Sequence, residues 1–140
     1  MSKTAVVFWS GTGNTEEMAN AVLEGMKENG ANASIYSADA FQAGDVEVYD
    51  AIAFGCPAMG AEVLEEDEFQ PLFDECKSAL AGKKVALFGS YGWGDGEWMR
   101  NWEDDCREAG IELACDSVVC NDAPDEDAIT ACKELGAALA

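Results

Sequence analysis

Near the amino terminus, residues 10–15 are all small or carry a hydroxyl or amide group, and none of them is charged. The two glycines, Gly11 and Gly13, would let the backbone turn tightly with its N–H groups facing inward. The helix that we predict to begin near Glu16 would add the positive end of its dipole. This loop is therefore predicted to bind a phosphate. It lacks the lysine of a triphosphate-binding loop and the third glycine of a dinucleotide fingerprint, so a terminal monophosphate fits it best.

Two further loops carry residues suited to a flat ligand. Residues 55–62 place Cys56 and Met59 directly after a predicted strand, and residues 89–96 place Trp93 among several glycines. An exposed indole in a glycine-rich loop indicates that something planar covers it. With Met59 on the opposite loop, the two side chains would form the walls of a slot for a planar heterocycle.

The elements that must position these loops alternate along the chain. Apolar runs predict five strands, at residues 4–9, 34–36, 51–54, 85–89 and 113–119. Apolar residues at helical spacing predict four helices, carrying Met18, Val22 and Met26, then Phe69, Leu72, Phe73 and Cys76, then Trp98, Trp102 and Cys106, and finally residues 125–139. Strands that are apolar on both faces imply a parallel sheet covered on both sides, which is a doubly wound α/β fold. In such folds ligands bind at the carboxyl ends of the strands, where all three loops lie.

Composition narrows the classes of function. The length of 140 residues and the hydrophobic content of 49% suit a single domain over residues 1–140 with one filled core. The net charge of −20 argues against nucleic acid and anionic lipid as partners and favours a basic partner. The absence of histidine excludes Ser-His-Asp and Cys-His catalysis as well as histidine metal sites.

The cysteines and the apolar runs bear on the cellular compartment. The six cysteines form no CxxC pair and are expected to be free, mostly buried thiols, with Cys56 as the exception because it ends a strand where a ligand could lie. No apolar run approaches the ~20 residues that cross a bilayer, and the first residues enter a strand pattern without a signal peptide. We therefore expect a cytoplasmic protein.

Three motifs stand in order at the predicted strand ends: WSGTGNTE, GCPAMGAEVLEE and LFGSYGWGDGEWMRNWE. With them, the chain resembles the short-chain flavodoxins of the clostridial type over essentially its whole length. The resemblance implies a flavodoxin-like, doubly wound five-stranded parallel sheet of order 2-1-3-4-5 with helices on both faces, and a non-covalently bound FMN. It implies cofactor contacts from Ser10, Gly11, Thr12, Gly13, Asn14, Thr15, Cys56, Pro57, Ala58, Met59, Gly60, Ala61, Glu62, Ser90, Tyr91, Gly92, Trp93 and Gly94.

The resemblance also implies roles for individual residues around the flavin ring. Met59 covers one face of the isoalloxazine and Trp93 stacks on the other, while Glu62 meets the ring N3–H. Gly60 belongs to a turn that reorients its peptide when the flavin accepts one electron. Glycine reaches both forms of that turn at low strain because one of them requires a positive φ.

Two positions depart from the family pattern. Ala61 stands where relatives often carry Asp, Ser or Asn, and Pro57 stands where some have Ser, so a phosphate contact is missing there. Asp122 follows the fifth predicted strand, and the sequence leaves open whether it approaches the cofactor.

Together these features imply a low-potential one-electron carrier, not an enzyme, that cycles mainly between the neutral semiquinone and the anionic hydroquinone. Glu62 and the acidic run at residues 65–68 would disfavour the anionic state, each charge by roughly 20 mV. The same charges are predicted to dock basic redox partners, such as ferredoxin-type reductases or oxidoreductases, onto a monomer. The acidic residues 103–105 are predicted to be an ordinary solvated helix face.

Three alternative functions fit the sequence less well. A small FMN-dependent NAD(P)H or quinone reductase would need room for substrate on the ring, where Trp93 would stand, and the chain has no second nucleotide fingerprint. A receiver domain would need aspartates after the first and third strands. A low-molecular-weight phosphatase would need a cysteine loop that closes with arginine, and neither pattern occurs here.

Overall fold

Strands and helices alternate along the chain, as predicted. The computed structural model describes residues 2–11, 13–59, 63–92, 94 and 96–140. The strands are β1 (Lys3–Phe8), β2 (Asn32–Ser37), β3 (Ala51–Gly55), β4 (Lys84–Tyr91) and β5 (Val118–Asn121). The helices are α1 (Asn14–Glu28), α2 (Phe69–Cys76), α3 (Glu97–Glu108) and α4 (Glu126–Leu139), with short 3-10 helices at Ala38–Ala40, Ala43–Val48 and Lys77–Ala79.

The five strands form one parallel sheet in the order β2-β1-β3-β4-β5, which confirms the predicted fold. All of β3 is buried, as are residues 85–90 of β4. These central strands show no alternation of polar and apolar residues because helices cover both faces of the sheet. Since all strands run in the same direction, the loops after β1, β3 and β4 meet at one edge, the carboxyl edge of the sheet.

Two cores flank the sheet. On one side, α1 and α4 pack against the strands through aliphatic and sulfur-containing side chains. On the other side, α2 and α3 build an aromatic core in which Phe54, Phe69, Phe73 and Trp102 meet edge to face or stacked. Burial of these large side chains is the main force that holds the helices, and therefore the loops before them, in place.

Helices α1 and α4 approach each other closely through two glycines. A side-chain carbon added to Gly25 would lie 2.1 Å from the carbonyl oxygen of Lys133. One added to Gly136 would lie 2.2 Å from the carbonyl oxygen of Val22. No other residue type fits at either position without a backbone shift, so this crossing fixes the position of α1 and of the loop that precedes it.

The fifth strand differs from its prediction. Residues 113–119 were expected to form it, whereas β5 begins at Val118, and Leu113 makes only an isolated parallel bridge to Val85. Between them the chain bends away from the sheet, and the Ser117 hydroxyl donates to the Glu103 carboxylate on α3 at 2.7 Å. The polar pair Asp116 and Ser117 stands in the otherwise apolar segment directly before β5 begins, and it is the sequence signal that marks this interruption.

All six cysteines are free thiols, which confirms the prediction that the fold uses no disulfides. Burial raises the pKa of the Cys56, Cys106 and Cys132 thiols to about 12 and of Cys76 and Cys120 to about 11. Within the described ranges, no helix combines the length and the apolar character needed to cross a bilayer.

Candidate cofactor-binding site

A cavity of about 220 Å³ opens at the carboxyl edge of the sheet, where the three predicted loops meet. Its described lining is Trp9, Gly11, Asn14, Pro57, Ala58, Met59, Ser90, Tyr91, Gly92 and Asp122. Eight of these ten residues were predicted as cofactor contacts from the sequence. The structure therefore brings the loops after β1, β3 and β4 together around one space, and it adds the residue that follows β5.

The loop after β1 presents the start of α1 to this cavity. Gly13, at the N-cap of α1, has a φ of 98°, a left-handed conformation that favours glycine. The Ser10 hydroxyl oxygen accepts hydrogen bonds from the amides of Gly13 at 3.0 Å and Glu16 at 3.3 Å. The amides of Asn14 and Thr15 precede any intrahelical acceptor and sit at the positive end of the helix dipole. This arrangement is suited to binding an anion. The helix itself begins at Asn14, two residues earlier than predicted.

Thr15 and Ser90 connect this loop to the end of β4. Their hydroxyl oxygens lie 3.3 Å apart, and the two residues are only 1% and 5% exposed. Ser90 lines the cavity, whereas Thr15 lies behind it. The Thr15 hydroxyl, predicted as a phosphate contact, is therefore part of a buried link that holds two of the site's loops in register.

Cys56 fixes the start of the loop after β3 through contacts in the protein interior. Its thiol is fully buried and is not part of the cavity lining. Its amide donates to the Phe88 carbonyl at 3.1 Å, and its carbonyl accepts from the Trp98 indole at 3.1 Å. The pKa of the thiol is raised to about 12, mainly by burial; the hydrogen bond from the Glu65 amide lowers the pKa, and the Glu65 carboxylate adds to the increase. The prediction placed Cys56 on the correct loop, but its side chain and both backbone groups are used within the protein.

Beyond Cys56, the same loop turns back along itself. The Ala58 amide donates to the Ser90 carbonyl at 3.0 Å, which ties the loop to β4. The Met59 amide donates to the Val63 carbonyl at 2.9 Å, and the two residues form an antiparallel bridge. Met59 is thus fixed by its backbone on the wall of the cavity.

Asp122, which the sequence left open, lies on the cavity wall. Its amide donates to the Tyr91 carbonyl at 2.8 Å, and the Asn121 side-chain amide donates to the same oxygen at 3.2 Å. Asp122 has a φ of 57°, a left-handed conformation that aspartate tolerates better than most residues. The end of β5 therefore turns a carboxylate toward the loop after β4.

Trp9 was missed by the sequence analysis. It directly precedes the phosphate loop and lines the cavity, and its indole N–H donates to the Glu68 carboxylate at 3.3 Å. A side-chain carbon on Gly11 would lie 3.1 Å from the Trp9 ring, so glycine leaves room for the indole against the loop. The available signal was an aromatic residue at the last position of the first apolar run, which is also a common core position.

Glu65 was predicted to belong to an acidic group near the cofactor, and the structure buries its side chain, unlike those of its three acidic neighbours. It is 5% exposed, and its carboxylate accepts hydrogen bonds from the amides of Asp67, Glu68 and Phe69 at 2.9, 2.8 and 2.8 Å. Burial alone would raise the pKa of Glu65, but these three donors outweigh it and hold the pKa below its ordinary value. Glu65 is a buried cap at the start of α2.

The remaining predicted contacts fall into two groups. Ser10, Gly13 and Gly94 are described but do not line the cavity. Thr12, Gly60, Ala61, Glu62 and Trp93 lie outside the described residues.

The described donors and walls fit FMN. The amides of Asn14 and Thr15 at the start of α1 and the nearby Ser10 hydroxyl suit a phosphate monoester that is bound without a lysine or arginine from this loop. Trp9, Met59 and Tyr91 give the cavity apolar walls suited to a flat ring, and backbone groups supply its polar edge.

Comparison with known proteins agrees with this geometry. The family model described as Flavodoxin matches residues 6–136. Flavodoxin from Megasphaera elsdenii is 44% identical over 135 residues, covering 96% of each chain, and flavodoxin from Clostridium beijerinckii is 42% identical over 135 residues, covering 96% of this chain and 97% of that one. The solution structure of two-electron reduced M. elsdenii flavodoxin matches with a TM-score of 0.89 at 43% identity over 97% of both chains.

These matches confirm the resemblance to short-chain flavodoxins and the predicted role as an electron carrier rather than an enzyme. The chain belongs to the flavodoxin family of FMN-binding electron carriers.

Proposed function

We propose that FMN is held at the carboxyl edge by residues 10–15 at its phosphate and by the loops after β3 and β4 at its ring. The observation that carries this assignment is the cavity directly beside the start of α1, with Asn14 and Gly11 on one side and Met59 and Tyr91 on the other. When bound, FMN supplies reversible transfer of single electrons. The individual ring contacts of Met59, Trp93, Gly60, Ala61 and Glu62 are part of the same proposal and rest on the family resemblance.

The charges around the site favour a low reduction potential. Acidic residues 66–68 are exposed beside the loop after β3, and Asp122 lines the cavity itself. A unit negative charge at ~10 Å with an effective dielectric near 60 opposes added negative charge by about 0.5 kcal/mol, or roughly 20 mV for one electron. Several such carboxylates together would lower the potential at which the flavin accepts its second electron, so the fully reduced flavin would donate that electron readily.

A purified sample tests the cofactor assignment. The folded protein should take up one FMN, turn blue part-way through stepwise reduction with dithionite, and then bleach. Trp93→Ala should weaken FMN binding and leave the fold intact, and Gly60→Ala should bring the two one-electron potentials together. If the folded protein is incubated with excess FMN, separated from the free flavin and is still colourless, the assignment is refuted.

We propose that basic redox proteins dock on an acidic rim composed of Glu66, Asp67, Glu68, Glu97 and Asp122. All five side chains are exposed. Asp122 lines the cavity, Glu68 accepts from the indole of the lining residue Trp9, and Glu97 begins α3 directly after the loop that follows β4. Residues 103–105 differ because two of the three charges there are paired with cations: Asp104 with Arg107 and Asp105 with Lys77, while Glu103 accepts from the Ser117 hydroxyl. This supports the rim, rather than α3, as the docking charge.

Charge reversal separates docking from net charge. A variant with Glu66, Asp67 and Glu97 all changed to Lys keeps the Trp9–Glu68 hydrogen bond and should transfer electrons to a basic c-type cytochrome at least tenfold more slowly at low salt. The matched control changes Glu28, Glu108 and Glu112 to Lys; these exposed residues lie at or just beyond the carboxyl ends of α1 and α3, at the opposite edge of the sheet. Equal slowing in both variants would indicate a general charge effect and not a docking surface.

We further propose that the chain acts as one FMN-binding domain over residues 1–140, as a monomer in the cytoplasm. The six free thiols suit a reducing compartment. Sedimentation of the FMN-loaded protein at several concentrations tests the monomer.

A further inference from the structure

Glu65 is the one charged side chain that is buried among the residues the structure describes. Every polar group of the residue has a partner. Its carboxylate binds the three amides at the start of α2, its own amide donates to the Cys56 sulfur at 3.4 Å, and its carbonyl accepts from the Gln70 amide at 2.8 Å. A buried carboxylate with this many fixed contacts joins the loop after β3 rigidly to α2.

These contacts lead to two walls of the cavity. On the first path, the Glu65 amide binds Cys56, and Val63, two residues before Glu65, accepts from the Met59 amide at 2.9 Å. The segment between Cys56 and Glu65 is thus closed at both ends, and it carries Met59 on the cavity wall.

The second path runs through Glu68. The Glu65 carboxylate binds the Glu68 amide at 2.8 Å, and the Glu68 carboxylate accepts from the Trp9 indole at 3.3 Å. Trp9 forms another wall of the cavity. One buried carboxylate is therefore a common anchor for side chains from two different loops.

We propose that Glu65 is a positioning residue for the flavin ring, because it holds Met59 and Trp9 in the places where they contact the ring. This inference rests on the proposed FMN site. Glu65 touches neither the cavity nor any ligand in it, so its effect is transmitted through the loop after β3 and through Glu68. A cap that only stabilised α2 would not need either connection.

Glu65→Gln is the direct test. Glutamine keeps the shape and one acceptor oxygen, but its amide group would face a backbone N–H where the carboxylate now accepts one. We expect the dissociation constants for FMN and for riboflavin to rise by the same factor, about tenfold, since the ring walls and not the phosphate loop are disturbed. The visible absorption bands of bound FMN should shift as well.

Two controls separate positioning from stability and charge. Glu75→Gln removes the same charge from an exposed residue of α2 outside the acidic rim, and Asp125→Ala removes the carboxylate that caps α4 through the Ala128 amide. Both should bind FMN as the unaltered chain does, with unshifted bands. A lower melting temperature for Glu65→Gln with unchanged affinities and spectrum would overturn the proposal and leave Glu65 as a simple helix cap.

If Glu65→Gln does not fold, Glu68→Gln tests the proposal through the hydrogen bond between Trp9 and Glu68 alone. It should raise both dissociation constants by about threefold, because it weakens an exposed hydrogen bond; unchanged constants would overturn the proposal. Failure of the unaltered chain to bind FMN and riboflavin would refute the proposed site, and the role of Glu65 with it. Tight FMN binding with no effect of either substitution refutes only the role of Glu65.

Discussion

The amino termini of α1 and α2 both lie at the carboxyl edge of the sheet, yet they are completed in opposite ways. At α2, the buried Glu65 carboxylate accepts hydrogen bonds from the amides of Asp67 and Glu68, which immediately precede the helix, and of Phe69, its first residue. At α1, Gly13 provides no side-chain cap, and the Ser10 hydroxyl takes up two amides without bringing any charge. One helix start is neutralised by the protein's own anion, and the other is left for an anion from outside.

The difference shows how two similar dipoles serve two different tasks. A charged cap stabilises a fixed loop, which suits the wall of a ring site. A start whose first amides have no carboxylate cap leaves these amides available to attract a phosphate, even though Glu16 and Glu17 follow in the first turn. The predictions below exchange or weaken these features, from the largest expected effect to the smallest.

Ser10→Asp would give α1 an internal anion like that of α2. A carboxylate near a bound phosphate, at an effective dielectric of about 20, costs about 3 kcal/mol, so the FMN dissociation constant should rise on the order of 100-fold. Riboflavin has no phosphate and should bind nearly as before. The control is Ser10→Asn, because asparagine has nearly the size of aspartate but no charge. If Ser10→Asp lost affinity for FMN and riboflavin equally, repulsion of the phosphate would not be the cause.

Glu65→Ala would leave α2 without its anion. Three amides lose their acceptor, one of them buried and two partly buried, so the free energy of unfolding should fall by about 2–3 kcal/mol at pH 7. Because folding lowers the pKa of Glu65, its stabilisation is complete above the unfolded value of about 4.3 and is lost as the pH falls through the folded value. Urea unfolding at several pH values should therefore show the gap between the two proteins closing in acid, whereas Glu66→Ala should produce no such gap.

Thr15→Val would break the buried link between the loop at α1 and β4. Ser90 would lose its partner, which should cost about 1 kcal/mol of stability and raise the FMN dissociation constant about fivefold. Thr15→Ser retains the hydroxyl and should stay close to the unaltered chain. Equal behaviour of the two variants would mean that the link between Thr15 and Ser90 does not organise the site.

Asp122→Asn removes one carboxylate from the cavity wall without changing the shape of the side chain. The reduction potential for the second electron should rise by about 20 mV, as expected for the loss of one negative charge near the ring. Glu112→Gln, at the opposite edge of the sheet, serves as the control and should leave a potentiometric titration unchanged. A shift of the same size in both variants would assign the effect to net charge.

Local chemistry made the site's loops predictable from the sequence. Gly11 and Gly13 in a run of hydroxyl and amide residues indicate a tight turn before a helix, and apolar runs without alternation indicate buried parallel strands. Once the fold class is known, the ends of β1, β3 and β4 must meet. For this reason eight of the residues that line the cavity were named in advance.

The remaining features depend on tertiary packing. Four acidic residues in a row give no indication that Glu65 is buried and its three neighbours are exposed, because the burial arises from how α2 docks on the aromatic core. Trp9 resembles an ordinary strand-end aromatic until Glu68 is placed beside it. The start of β5 and the position of Asp122 depend on contacts with α3 and β4 that lie far away in sequence.

Titration of the apoprotein with FMN and with riboflavin, followed by quenching of flavin fluorescence, tests the central claim most directly. If the uncharged loop of residues 10–15 captures the phosphate, FMN should bind at least 100-fold more tightly than riboflavin, equivalent to about 2.7 kcal/mol. Equal affinities for the two flavins would show that the phosphate is not recognised by this loop.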